Sequence, residues 1–219
     1  MNRTSIEWCD RTWNPVTGCL HRCEYCYARM VSQRFGKSFD PIFHEDRLDE
    51  PIRARAKSLR IFVCSMADLF GSWVLDDSIR QILSVVRRAP WHQFIFLTKN
   101  PGRLREFNPW PENAWVGATA VNQEQADRAI AGLADVAGKT FICCEPLLEH
   151  VDLFGASFIK WLIIGAQTGP GGHQPHVHYV ESLLIWAGEN RIPVFQKNNL
   201  IWPDRRQEFP DELNPEKFK

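Results

Sequence analysis

Six short apolar runs recur along the chain with longer amphipathic stretches between them, and this alternation limits the fold more than any other feature. The runs are Arg60–Cys64, Gln93–Thr98, Trp115–Ala120, Thr140–Glu145, Lys160–Gly165 and Ile192–Gln196. Each has the length of an ordinary strand. They are apolar throughout rather than at every second position, the mark of strands covered on both faces, as in a parallel sheet. The intervening stretches have helical period. In Asp76–Arg88, residues Ile79, Ile82, Leu83 and Val86 fall on one face, with Asp76 or Asp77 as the cap. Asn122–Ala137 repeats the pattern with Asn122 as N-cap, and Tyr179–Asn190 repeats it again. Cys26–Phe35 reads as a further helix and Thr12–Val16 as a short opening strand. Strand–helix repetition builds a parallel sheet with helices outside. The expectation is an α/β chain with one domain over residues 1–219, a partial (β/α) barrel of about six parallel strands. A doubly wound open sheet is the alternative. In a barrel, functional groups sit in the loops after the strands' C-terminal ends.

The 26 basic and 26 acidic side chains cancel, so the overall charge does not call for a polyanionic partner. Local basic clusters remain at Arg53, Arg55, Lys57 and Arg60, at Arg87 and Arg88, and at Arg103 and Arg105, each of which also suits a solvated helix face. Residues Met1–Asp10 lack an apolar signal core, and the longest apolar run, Trp161–Ala166, is too short to span a bilayer. A cytoplasmic protein without membrane contact is expected. Cysteine number is odd, at 7, with Cys19, Cys23 and Cys26 close together, which in a reducing compartment favours metal or redox chemistry over disulfides.

Gly18-Cys19-Leu20-His21-Arg22-Cys23-Glu24-Tyr25-Cys26-Tyr27-Ala28 contains C-x3-C-x2-C. Thiolates at this spacing can converge on one small metal centre. A 4Fe–4S cluster ordinarily takes four cysteines. Three leave one iron open to bind and polarise a ligand. Structural zinc with His21 or a distant cysteine as fourth ligand is the alternative. Tyr25 and Tyr27 are placed to shield a cluster and flank adenine, or simply to pack.

At this point the sequence resembles the phage-associated three-cysteine-motif family of the radical S-adenosylmethionine superfamily. The likeness rests on Ile6-Glu7-Trp8, Thr12–Cys19, Arg47–Pro51, Val63–Phe70, Leu97–Pro101, Cys144–Leu148, Gly165–Gly171 and Phe195–Lys197. Many relatives have a longer gap between the first two cysteines, and many have an acid where Gln167 stands. A more distant likeness to spore photoproduct lyase suggests DNA base chemistry. The resemblance implies an enzyme in which a 4Fe–4S cluster on Cys19, Cys23 and Cys26 reductively cleaves S-adenosylmethionine to a 5′-deoxyadenosyl radical. That radical takes hydrogen from a substrate, here expected to be a nucleic-acid base or nucleotide in DNA repair or modification. A peptide or small metabolite is the alternative substrate, and a zinc-stabilised nucleic-acid-binding module the alternative to catalysis. A reductase, flavodoxin or ferredoxin would supply electrons.

Strand-end residues complete the expected site. Ser65 and Asp68 are placed to meet the cofactor's ammonium, and Lys99 its carboxylate or a substrate phosphate. Thr119 and Asn122 are placed near the ribose, although Asn122 also suits a helix cap. Glu145 ends a strand facing the barrel mouth. The glycine-rich Gly165–Gly172, with Gln167, permits close backbone approach near the adenine. Lys197 and His173 are expected to face substrate, with His173, His176 and His178 forming a small cluster. Cys64, Cys143 and Cys144 are expected in the core, one of them a possible hydrogen-atom donor.

Overall fold

The computed structural model describes residues 1–54, 58–169 and 171–218. Arg55 and Lys57 of the first basic cluster, and Pro170 of the glycine segment, lie outside the described residues. In chain order the strands are β1 (Asn2–Arg3), β2 (Arg11–Trp13), β3 (Val16–Thr17), β4 (Ile42–Phe43), β5 (Arg60–Val63), β6 (Gln93–Thr98), β7 (Ala114–Thr119), β8 (Lys139–Cys144), β9 (Trp161–Ile164) and β10 (Val194–Gln196). The helices are α1 (Tyr27–Arg34), α2 (Glu50–Arg53), α3 (Asp76–Arg88), α4 (Gln123–Ala134) and α5 (Val177–Glu189).

One sheet of eight strands runs β1-β2-β5-β6-β7-β8-β9-β10, while β3 and β4 form a separate antiparallel pair. Strand β1 lies antiparallel on β2, and every later neighbour is parallel. Seven strands are therefore parallel, one more than the expected six, because the short opening strand joins the wall as β2. From β5 onward spatial order follows chain order. This progression lays down a barrel wall and lacks the reversal that marks a doubly wound sheet.

Alternation along each strand divides the apolar residues between two cores. Phe94 and Phe96 of β6 pack outward with Ile79, Ile82 and Val86 of α3. Ile95, Trp115, Phe141, Trp161, Ile163 and Phe195 pack inside the curved sheet. Burial on both faces is why these runs are apolar at consecutive positions. Gly117 has a packing role in the inner core: a Cβ there would stand 2.4 Å from the Phe141 ring. The C-terminal segment closes the floor, with the Phe209 ring 5.7 Å from Trp161 and 5.1 Å from Phe195. The open end of the barrel is then the one at the strands' C-terminal ends.

Helix α3 departs from expectation only at its cap. Leu75 occupies the N-cap without a side-chain bond, and Asp76 pairs with Arg103 instead. Asp76, Asp77, Arg87 and Arg88 still sit at the ends that the helix dipole favours.

An ion pair secures the floor. The Arg60 guanidinium is almost fully buried, bonds Asp10 through Nη2 at 2.7 Å, and lies 4.8 Å from the centroid of the Phe209 ring. Burial works to raise the Asp10 carboxyl, but hydrogen bonds from Arg60 outweigh it and leave the group below its ordinary value. Its stabilisation is thus present above the ordinary carboxylate range and is lost as pH falls through the depressed folded value. Asp10→Ala strands a buried guanidinium and is expected to cost about 3 kcal/mol. Denaturant unfolding at pH 7 checks this, and a loss under about 1 kcal/mol would show the pair to be a solvated one.

Candidate active site

The cysteine loop is built by backbone bonds before any metal is considered. Gly18 has φ +86°, and a Cβ there would lie 2.0 Å from the Asp40 carbonyl oxygen, so the position ahead of Cys19 tolerates only glycine. Gly18 N donates to Met66 O at 2.9 Å and Cys19 N to Phe39 O at 3.0 Å. Arg29 Nη2 donates to Cys19 O at 2.8 Å. Cys26 is the N-cap of α1, and its Sγ accepts from Arg29 N at 3.4 Å. A helix N-terminus favours negative charge, which suits a ligating thiolate.

Cys19, Cys23 and Cys26 all line one cavity of about 720 Å³ at the barrel mouth. Burial pushes the Cys19 and Cys23 thiols up, with the Lys99 ammonium opposing the rise at Cys23. Among the described residues, no three His, Cys, Asp or Glu side chains close on a single-ion point. A cluster makes a different demand, since each thiolate binds its own iron and the sulfurs stand apart. A loop preformed by backbone bonds, three soft thiol donors and a helix N-terminus behind one of them fit a thiolate-bound iron–sulfur cluster.

Asp68 organises the wall beside the cysteines. Its Oδ1 accepts from Thr98 Oγ1 at 2.6 Å and Phe70 N at 3.0 Å. Its Oδ2 accepts from Lys99 N at 2.8 Å and pairs with His21 Nε2 at 2.7 Å. Four partners fill a carboxylate's acceptor positions. Asp68 lines the cavity, and its bonds make a clamp tying the cysteine loop to the ends of β5 and β6. Ser65 lines the cavity, with its hydroxyl given to Asn14 Oδ1 at 3.2 Å and its carbonyl accepting from Tyr27 OH at 2.6 Å.

Across the mouth, Lys197 Nζ bonds Glu145 and lies 3.8 Å from Glu7 Oε2. Burial would lower the Lys197 ammonium, but the two carboxylates prevail and raise it. Lys99 Nζ donates to Tyr25 OH at 3.2 Å. Thr119 and Gln167 also line the cavity. Gly165 permits close packing, for a Cβ there would meet Glu145 Cγ at 3.0 Å.

Three expected site residues, Gly165, Asn122 and His173, do not line the cavity. Asn122 Oδ1 accepts from Gln125 N at 3.0 Å and caps α4. His173 is exposed and contributes its carbonyl to Gln167 N at 3.3 Å, steadying the glycine segment rather than reaching inward. His176 and His178 cluster with His150 and Tyr179, not with His173.

Other lining residues escaped the strand-end reading. Glu7 and Trp8 arrive from the N-terminal loop and Asn198 and Asn199 from the loop after β10. The Trp8 indole N–H is buried without a partner among the described residues. His21 also lines the cavity, its ring 4.9 Å from that of Trp73. Cys64 lines it as well, held at φ +60°, and burial pushes its thiol up to about 12, so it stays protonated at neutral pH. Cys143 and Cys144 are buried away from the cavity.

The sequence profile of the family described as Protein of unknown function (DUF5131) matches residues 3–210. The chain belongs to this family. No curated protein matches it. Among solved structures it is similar to a spore photoproduct lyase mutant with bound AdoMet and dinucleoside spore photoproduct, with TM-score 0.55, 13% identity, 82% of this chain and 50% of that one. A second spore photoproduct lyase mutant gives TM-score 0.54 and 15% identity over 67% of this chain and 48% of that one. Spore photoproduct lyase complexed with dinucleoside spore photoproduct gives 0.52 and 14% over 81% and 60%. The chain spans about half the length of the first two. At these identities the likeness shows a shared fold, an α/β architecture with a mostly parallel sheet. Among the described residues no helix is long and apolar enough to cross a membrane.

Proposed function

We propose that this chain is a radical S-adenosylmethionine enzyme acting on a nucleic-acid base or nucleotide, within the phage-associated three-cysteine-motif group its motifs resemble. The observation that carries this reading is the meeting of Cys19, Cys23 and Cys26 with aromatic and polar walls around one cavity at the barrel mouth. Its volume, about 720 Å³, lies in the range of small-molecule sites. A 4Fe–4S cluster with S-adenosylmethionine bound there would supply one-electron cleavage of the sulfonium and hydrogen abstraction from substrate.

The chain's own residues hold and shield. Cys19, Cys23 and Cys26 are the three ligands, and the Asp68 clamp fixes their loop. Thr119 and Gln167 suit the adenosine portion. Lys99, held against Tyr25, suits a carboxylate or phosphate. Trp8, Tyr25, Tyr27, Phe39 and Phe62 give the cavity stacking surfaces, while Glu7, Glu145, Lys197, Asn198 and Asn199 give it edge-reading groups. Stacking surfaces beside donors and acceptors are what a flipped or free base requires. The dinucleoside lesion named for the structural neighbours agrees with that class.

The test is anaerobic reconstitution followed by assay of 5′-deoxyadenosine. Reductant-dependent formation, stimulated by nucleosides or oligonucleotides above peptides, is the expected result. No 5′-deoxyadenosine from protein that retains iron would refute the activity, and stimulation by peptides alone would refute the substrate class.

A further inference from the structure

Helix α1 starts at the last cysteine of the loop and turns its apolar face outward. Met30, Val31 and Phe35 recur at helical spacing, a stripe that ordinarily faces a core, while Tyr27 at the helix start lines the cavity. Here Ala28 supplies the buried side of the helix, and the stripe is exposed, from 38% at Met30 to 70% at Phe35. Leu20, in the loop between the first two cysteines, is 47% exposed. Met30 Cε reaches to 3.6 Å from where a side chain at Gly169 would begin, so the stripe extends to the glycine segment at the cavity's edge.

Charge on this segment is unlike that of the whole chain. Between Cys19 and Phe39, Arg22, Arg29, Arg34 and Lys37 are basic and Glu24 is the only acid, whereas the full sequence is neutral. Arg29 is used internally, on Cys19 O and over the Phe39 ring. Arg22, Arg34 and Lys37 are exposed and have no acidic partner among the described residues.

Resting on the function proposed above, we infer that the outward face of α1 is the docking surface for an acidic one-electron carrier protein that reduces the cluster. An electron must cross from outside to the three cysteines, and Cys26 is the cap of this helix, its carbonyl accepting from the N–H of Met30, the stripe's first residue, at 3.1 Å. Electron-transfer encounters use small interfaces, below about 1,200 Å². An apolar centre with a basic rim gives such a contact a dry middle and steers an acidic partner. A second copy of the chain would bring like-charged rims together across a two-fold interface, which opposes that occupant. The transfer forms and breaks no bond: the carrier is oxidised by one electron and the cluster reduced by one.

The test compares wild type with Phe35→Asp and with the double variant Arg34→Glu/Lys37→Glu, all anaerobically reconstituted. Stopped-flow bleaching of the cluster is followed with reduced flavodoxin and separately with dithionite, a small reductant that needs no docking. The expected result is a flavodoxin rate at least about tenfold lower in each variant, with the dithionite rate and iron content unchanged. The wild-type flavodoxin rate should also fall with added salt, and that of the charge variant should not. Equal flavodoxin rates in all three proteins would overturn the assignment. So would a wild-type dimer in sedimentation that the variants dissociate. Wild type without iron would instead overturn the functional reading, so the two failures are separable.

Discussion

Cys23→Ala is expected to lose the cluster and with it 5′-deoxyadenosine formation, by more than about 100-fold. Losing an outer partner of a metal ligand costs about 10–100-fold in affinity or activity, and losing one of only three ligands should cost more. Cys64 shares the cavity, but it is buried with its thiol pushed up to about 12, and Cys9, Cys143 and Cys144 are buried outside the lining, so none is a ready substitute for Cys23. Cys144→Ala is the matched control. It removes a thiol from the outer core, where burial holds it protonated, up to about 12, and it should leave iron content unchanged. Metal analysis after anaerobic reconstitution reads both variants. Full iron in Cys23→Ala would remove the motif from the account, and loss of iron in Cys144→Ala would show that the assay reports unfolding.

Asp68→Ala is expected to carry the largest stability cost of any single change at the site. It orphans the Phe70 and Lys99 amides and the Thr98 hydroxyl, and it frees His21 from its only ion-pair partner among the described residues. Buried donors stripped of a charged acceptor cost about 3–5 kcal/mol together. For a chain of this size that is a fall of about 10 °C in Tm. Asp68→Asn keeps one acceptor oxygen and turns an amide N–H₂ toward a donor, so it should be intermediate. Thermal unfolding orders the three proteins. A shift below about 2 °C for Asp68→Ala would mean that the loop is held in other ways.

Burial on both faces made the strands legible. Strand β6 and helix α3 begin and end where the apolar pattern puts them, at Gln93–Thr98 and Asp76–Arg88. Strand β10 starts later than the apolar run from Ile192 implies, because Pro193 has no N–H to give the ladder; its carbonyl still accepts from Leu162 N at 3.1 Å. Helix α4 stops at Ala134, short of the expected Ala137, where Val136 N turns back to Leu133 O at 3.1 Å.

The site was legible in proportion to how local it is. The cysteine loop could be read from spacing alone, since its residues are neighbours in sequence. The pairing of His21 with Asp68 joins residues far apart in the chain, and nothing in either local sequence announces it. Glu7 and Asn199 come from loops beyond the two ends of the barrel wall, which strand-end reasoning does not reach. Asn122 was ambiguous for a physical reason: a polar residue after a strand and before a helix suits a ligand contact and an N-cap equally, and here the helix takes it.

The most direct test of the central claim is iron and acid-labile sulfide in anaerobically reconstituted wild type, with the paramagnetic signal of the reduced protein recorded before and after adding S-adenosylmethionine. About four of each per chain are expected, with a signal that changes when the cofactor occupies the open iron. Protein that binds zinc tightly and takes up no iron, or a signal indifferent to S-adenosylmethionine, would contradict it.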